Sequence, residues 1–193
     1  MTTEERLEKL ERELANLRAE LAAEVVTRKI AVCDENGKTS ASLTVTNLGP
    51  ILYLHDENGK VRAALGMFED QPGLYLYDEN GKTRAVLAVT SASGGLAKIH
   101  SGPHLILYHG NGKTSAQLCT SMMGPQLTLY DENGKERMFQ AVTSANLGEE
   151  FLAMAMLTLS DDNGKAGVGL TMTKDGPRLV LSDNGKPIWS APR

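Results

Sequence analysis

The chain has 193 residues and a mass of 20.8 kDa, room for one domain or a domain with an appendage, and its 41% hydrophobic content suffices for a modest core. Aromatic residues make up only 5%, so that core is thin and built from Leu, Ala and Val rather than large rings. A net charge of -4 and a pI near 5.6 argue against a nucleic-acid binder, and two cysteines, Cys33 and Cys119, with four histidines supply neither a disulfide framework nor much of a metal cage.

The start, Met1-Thr2-Thr3-Glu4-Glu5-Arg6, is acidic and periodic where a secretory leader would be basic and then apolar. No apolar run approaches the ~18 residues of a membrane helix. The expectation is a cytoplasmic product, with a virion or surface assembly left open as its destination.

Over residues 1–26, Leu7, Leu10, Leu14, Leu17 and Leu21 recur at alternating spacings of three and four, the seam of a coiled coil. An amphipathic helix packed on its own domain would carry a wider apolar stripe. Thr2 and Glu5 supply a capping box. With Leu7 at heptad position a, Arg6 at g faces Glu11 at e, and Glu13 and Arg18 repeat the relation with signs reversed. Both pairs attract across a parallel, in-register interface. The string Arg6-Leu7-Glu8-Lys9-Leu10-Glu11 resembles the Arg-h-x-x-h-Glu motif (h, apolar) of parallel three-stranded coils, which implies a trimer, with dimer and tetramer as alternatives. The expected oligomerisation set is Arg6, Leu7, Leu10, Glu11, Glu13, Leu14, Leu17, Arg18 and Leu21.

Residues 27–193 repeat. Asp-Glu-Asn-Gly-Lys stands at 34–38, 56–60, 78–82 and 131–135, with relatives at 109–113, 161–165 and 182–186, and the Gly positions are 22, 22, 31, 22, 30 and 21 residues apart. The two enlarged units share Ala-Val-Thr-Ser-Ala, at 88–92 and 141–145. Leu alternates with variable residues before each turn, as in Leu52-Tyr53-Leu54, and alternation resumes after it, as in Ala63-Ala64-Leu65. Each unit is therefore a hairpin with one apolar face, and Gly-Pro at 49–50, 102–103, 124–125 and 176–177 marks the opposite turn. Because the leucines on both strands must share a face, the turn must contribute an even number of residues, two (Asn-Gly) or four (Asp-Glu-Asn-Gly). The last copy is one residue shorter, and a three-residue loop there aligns Leu179, Leu181, Trp189 and Ala191.

Seven hairpins give about fourteen strands, and an open single layer would leave the apolar face wet. A propeller would have only three and a half blades, and a single-chain sandwich gives no reason for the coil. Three chains around an axis bury all three faces, so the expected fold is mainly β: an N-terminal parallel trimeric coiled coil followed by an antiparallel hairpin meander forming a trimeric β-prism or triple β-helix. The shaft would be roughly 65 Å long and the coil roughly 30 Å. A coil followed by short repeated strands resembles the trimeric β-prism and triple β-helix modules of phage tail fibres and tail spikes. More weakly, Leu-Tyr-Asp-x-x-Gly at 76–81 and 129–134 is similar to the YD repeats of Rhs-type shell proteins, with Lys82 and Lys135 where that family commonly has Arg.

Catalytic chemistry finds little support. Gly-Lys-Thr at 37–39, 81–83 and 112–114 lacks the upstream Gly of a phosphate loop. Asp-x-Asn-Gly lacks the closing Glu of a calcium loop. His100, His104 and His109 are the only histidines placed to share a metal between chains, but His104 has the parity opposite to the leucines and His109 lies in a turn. Both cysteines read as free thiols on the outward parity, away from the leucine face, with pairing across chains as the alternative. The turn lysines read as a solvated edge that discourages aggregation, and the insertions near 90–101 and 143–156, with Phe151, Leu152, Met154 and Met156, as candidate contact surfaces or plugs. The function expected is a non-enzymatic structural protein without cofactors, a homotrimeric fibre or spike-like shaft whose partner is itself. The alternative is a multivalent module that binds a carbohydrate or protein through its insertion loops.

Overall fold

The computed structural model describes residues 2–23, 27–68, 70–90, 102–121, 124–147, 150–163 and 165–192. His100 and the string at 91–92 lie outside the described residues, as do the side chains of Leu21, Phe151 and Leu152. The chain divides into two compact units, Met1–Ile30 and Ala31–Arg193.

The first unit holds the single helix α1 (Thr3–Ala23). Its start is the expected capping box: the Thr2 N–H donates to Glu5 Oε2 at 2.7 Å and the Glu5 N–H to Thr2 Oγ1 at 3.2 Å. Glu4 and Glu5 also complement the positive end of the helix dipole.

The second unit is one antiparallel sheet in strict sequence order: β1 (Lys29–Cys33), β2 (Thr39–Thr46), β3 (Gly49–His55), β4 (Val61–Phe68), β5 (Gln71–Tyr77), β6 (Thr83–Thr90), β7 (Gly102–Tyr108), β8 (Thr114–Ser121), β9 (Gly124–Tyr130), β10 (Glu136–Leu147), β11 (Glu150–Ser160), β12 (Ala166–Thr173), β13 (Gly176–Asp183) and β14 (Lys186–Ala191). Among the described residues, strands contact only their immediate neighbours in the order. The sheet is therefore an open meander, neither closed nor folded into a single-chain sandwich.

The turns explain how the leucines stay in phase. In 56–60 the Gly59 N–H donates to Asp56 O and the Asp56 N–H to Lys60 O, both at 2.9 Å, and Gly59 takes a left-handed φ of 76°. This is a three-residue loop, Glu57-Asn58-Gly59, and not the two- or four-residue loop expected. Parity is restored one step later: His55 opposes Val61 but Leu54 opposes Ala63, so Arg62 is an extra, bulged residue. The same shift recurs after the turns at 78–82, 109–113, 131–135 and 161–165, with Arg84, Ser115, Arg137 and Gly167 as the extra residues. The last hairpin has a two-residue Asn184-Gly185 turn with both φ positive (49° and 76°), the type I′ geometry, plus a bulge at Ile188. Its odd total pairs Leu179 with Ala191 and Leu181 with Trp189, as expected, although through a shorter loop.

On the other side of the sheet, two-residue connections such as Asn47-Leu48 and Lys174-Asp175 link successive hairpins. The Thr46 hydroxyl accepts the Leu48 N–H (3.1 Å) and donates to Gly49 O (2.9 Å), and Thr173 repeats the arrangement with Asp175 and Gly176. Gly49, Gly102, Gly124 and Gly176 open the following strands at φ of 110–129°, a region closed to other L-residues.

The insertion near 143–156 is not a loop. It lengthens β10 and β11, which pair with each other from Met138/Leu159 out to Leu147/Glu150, while the registers with β9 and β12 stop at Ala141 and Ala155. The result is a two-stranded finger.

Two glycines differ in what confines them. Gly81→Ala adds a Cβ in open space at φ 78° and should cost about 1–2 kcal/mol from left-handed strain alone. Gly124→Ala drives its Cβ into the Val142 carbonyl oxygen and should cost clearly more. The urea midpoints of the two variants check that ranking.

Candidate functional site

The two faces of the sheet have opposite characters. On one, leucines align strand after strand: Leu43, Leu52, Leu65, Leu74, Leu87, Leu105, Leu118 and Leu127 pair in an unbroken column from β2 to β9. After Gln140 the column resumes with Leu157, Leu170 and Leu179 and ends at Ala191. Toward the turns lies a column that begins Ala41, Leu54, Ala63, Leu76, Ala85, Leu107. Toward the opposite edge, prolines meet apolar partners, as in Val45–Pro50, Met67–Pro72 and Val89–Pro103. Thr120 and Gln140 are the polar residues of these three columns, and no charge interrupts them.

This face was expected to be the buried one, yet in the single chain it is open: Leu65, Leu87 and Leu118 are 53%, 52% and 51% exposed. The packed face is the other. There Ala64 (1% exposed) lies between Tyr53 and Tyr75 of the adjacent strands, and Ile51 (2%) opposes Gly66. A Cβ on Gly66 would strike Ile51, and one on Gly73 would meet the Tyr75 ring at 2.8 Å. That ring packs edge-on against Phe68 at a centroid distance of 4.6 Å. Alternating large and small residues thus let neighbouring strands cover one another, whereas a uniform row of leucines has no small neighbours to cover. Cys119, expected on the outward side of the sheet, is instead buried on this packed face at 2% exposure, where Gln126 Nε2 donates to its Sγ at 3.1 Å. Cys33 is exposed, and both cysteines are free thiols.

The helix offers a second apolar row. Leu7, Leu10, Leu14 and Leu17 are all at least 50% exposed, and Arg6, Glu11, Glu13 and Arg18 flank them in α1. Glu13 also pairs with Lys9 within the helix at 3.8 Å. Leu21 lies in the same helix. The leucine column of the sheet, absent from the expected oligomerisation set, was detectable in principle from the constant offset of Leu about each Asn-Gly.

The turns stack along one side, and their lysines do more than meet solvent. Lys60 Nζ donates to Glu79 O (2.7 Å), Lys113 Nζ to Asn133 O (2.9 Å) and Lys135 Nζ to Asp162 O (2.7 Å), each bridging to the next turn. Arg62 pairs with Asp56 at 3.5 Å, and Arg137 pairs with Asp131 at 3.7 Å and with Asp162. The aspartates face inward. Asp78 Oδ1 accepts the N–H groups of Asn80 (2.9 Å) and Lys82 (3.0 Å), and Asp56, Asp131 and Asp161 do the same in their turns. An oxygen already holding two donors is a poor start for a cation site. Among the described residues no three His, Cys, Asp or Glu gather into a metal-binding group. His104 sits on the face opposite the leucines near Gly102 O, and His109 lies in its turn near Tyr130 O. No helix among the described residues is long and apolar enough to cross a membrane.

No protein-family model matches this sequence, and no curated protein matches it either. The inference about its role therefore rests on its own two apolar rows.

The turn geometry sets an acid limit. For Asp78, Asp131 and Asp161 the N–H of the turn lysine, helped by that of the Asn, holds the carboxyl below its ordinary 3.8 against a smaller desolvation effect. For Asp56 desolvation pushes upward but is outweighed by the Lys60 and Asn58 N–H groups and by Arg62. A carboxyl with a depressed folded-state value contributes stability that is full above its unfolded value and lost as pH falls through the folded one. The thermal midpoint should therefore drop as pH is lowered past 3.8. The drop should flatten when Asp56, Asp78, Asp131 and Asp161 are all replaced by Asn, and an unchanged acid limb in that variant would contradict the assignment.

Proposed function

We propose that this chain is a non-enzymatic structural protein, a homotrimeric fibre or spike-like shaft in which the helix starts a parallel coiled coil and three sheets enclose their leucine faces. The observation that carries the reading is the leucine column unbroken from β2 to β9, in which Leu43, Leu52, Leu65, Leu87 and Leu118 are exposed and which no second layer covers among the described residues.

Three-fold closure suits the column pattern. With sheets about 10 Å apart when packed face to face, each backbone stands about 5 Å from a common axis. A triangle of that size has sides of about 17 Å, close to the roughly 14 Å spanned by three alternating columns. The invariant Leu column then meets at the axis. The outer columns, in which Ala alternates with Leu toward the turns and Val or Met meets Pro toward the opposite edge, then lie toward the corners. A second reading is a multivalent module recognising a carbohydrate or protein, and the β10–β11 finger favours it because assembly would present one finger per copy.

Light scattering coupled to size exclusion tests the assembly. The expected mass is near 62 kDa, three times 20.8 kDa, and a 20.8 kDa species rules the proposal out. Leu65→Asp with Leu87→Asp should abolish assembly, whereas Leu10→Asp with Leu14→Asp should weaken it without destroying the sheet's own contacts. Retention of the full mass by the first variant would exclude the leucine face as the interface.

A further inference from the structure

We infer that Gln140 fixes the axial register of the assembled copies, its side chain meeting the Gln140 side chains of the other two chains at the axis. The inference rests on the homotrimer proposed above and names the residue that makes it specific.

The need arises from the repeat itself. In the central column Leu follows Leu from Leu43 to Leu127, so sliding one copy past another by a whole hairpin superimposes leucine on leucine. Apolar burial is non-directional and scarcely distinguishes one setting from the next. Gln140 is where the column changes. It sits in β10 between Leu127 and Leu157, is exposed in the single chain like the alternate leucines, and has Met138 and Val142 two positions away on the same face. Its counterparts after the preceding turns are Leu65, Leu87 and Leu118.

In register, three carboxamides come together in an apolar lumen. Each has a carbonyl oxygen that accepts and an NH₂ that donates, so a cyclic arrangement gives every amide one partner on each side. Slipped by one hairpin, each Gln140 faces Leu118 or Leu170 and is buried without a partner. A polar residue in an otherwise apolar seam selects register in this way at some cost in stability. The occupant of the face is a second copy of this chain because the columns carry no charge that would call for another partner, and because their repeating spacing of Leu at each strand is matched by another copy of the same column.

The test uses the full chain with Cys33→Ser and Glu79→Cys, a spin label on the exposed turn, and pulsed electron–electron distance measurement beside the light-scattering mass. With Gln140 present, one narrow inter-chain distance is expected. Gln140→Leu should raise the thermal midpoint and broaden the distances into populations offset axially by about 10 Å, two strand spacings. Leu87→Gln added to Gln140→Leu should restore a single distance, because the pin has only been moved. If the mass is 20.8 kDa, the homotrimer itself is wrong. If the trimer forms and Gln140→Leu keeps one narrow distance, the helix sets the register and the role of Gln140 is overturned. An unchanged midpoint in Gln140→Leu would likewise overturn it.

Discussion

Everything apolar about this molecule depends on a cancellation at its turns. A three-residue loop alone would flip the second strand of each hairpin and scatter its leucines over both faces. The extra residue that follows, Arg62, Arg84, Ser115, Arg137 or Gly167, flips it back. Because these five turns perform the same correction, the leucines stay on one face through the middle of the sheet, while the last turn reaches its alignment with two residues and a bulge at Ile188. The residue supplied for the bulge also serves the turn: Arg62 and Arg137 reach back to the aspartates that hold the loops closed.

The sheet then solves its two faces differently. Tyr75 over Gly73, and Ile51 beside Gly66, let one face cover itself within a single layer. That local solution works only with small residues placed next to large ones. It accounts for all five tyrosines lying on that face, at 53, 75, 77, 108 and 130, where burial raises the phenol pKa of the last three. The leucine face has no such alternation in its central column, and Leu65, Leu87 and Leu118 stay exposed there.

Much of this was legible in the residues. The seven Asn-Gly turns, the hairpin order, the helix cap and the even or odd total at each turn all follow from local chemistry, because Gly at a left-handed position and Asp bracketing its own amides leave little choice. The division of that total into loop and bulge was not legible, since a bulge is defined by hydrogen bonds to a partner strand. Nor was the assignment of the packed face: the leucines read as the buried row and Tyr53 as one of the variable residues between them, and only pairing shows that Tyr53 has Ala64 to cover. The segment 143–156 looked like an interruption because it breaks the period of 22, yet the ladder between β10 and β11 continues through it and so extends the strands. Thr143 and Met154 pair there in the same ladder as Ala141 and Met156.

Lysine bridges couple three of the turns to the one after, and among the described residues strands touch only their sequence neighbours. Stability in such an arrangement is close to a sum over adjacent units rather than a property of one central core. Length becomes a countable quantity. Removing or duplicating one 22-residue hairpin changes no contact type and alters the span by about 10 Å. The span of the sheet is thus set by how many hairpins it contains, in fixed steps of about 10 Å.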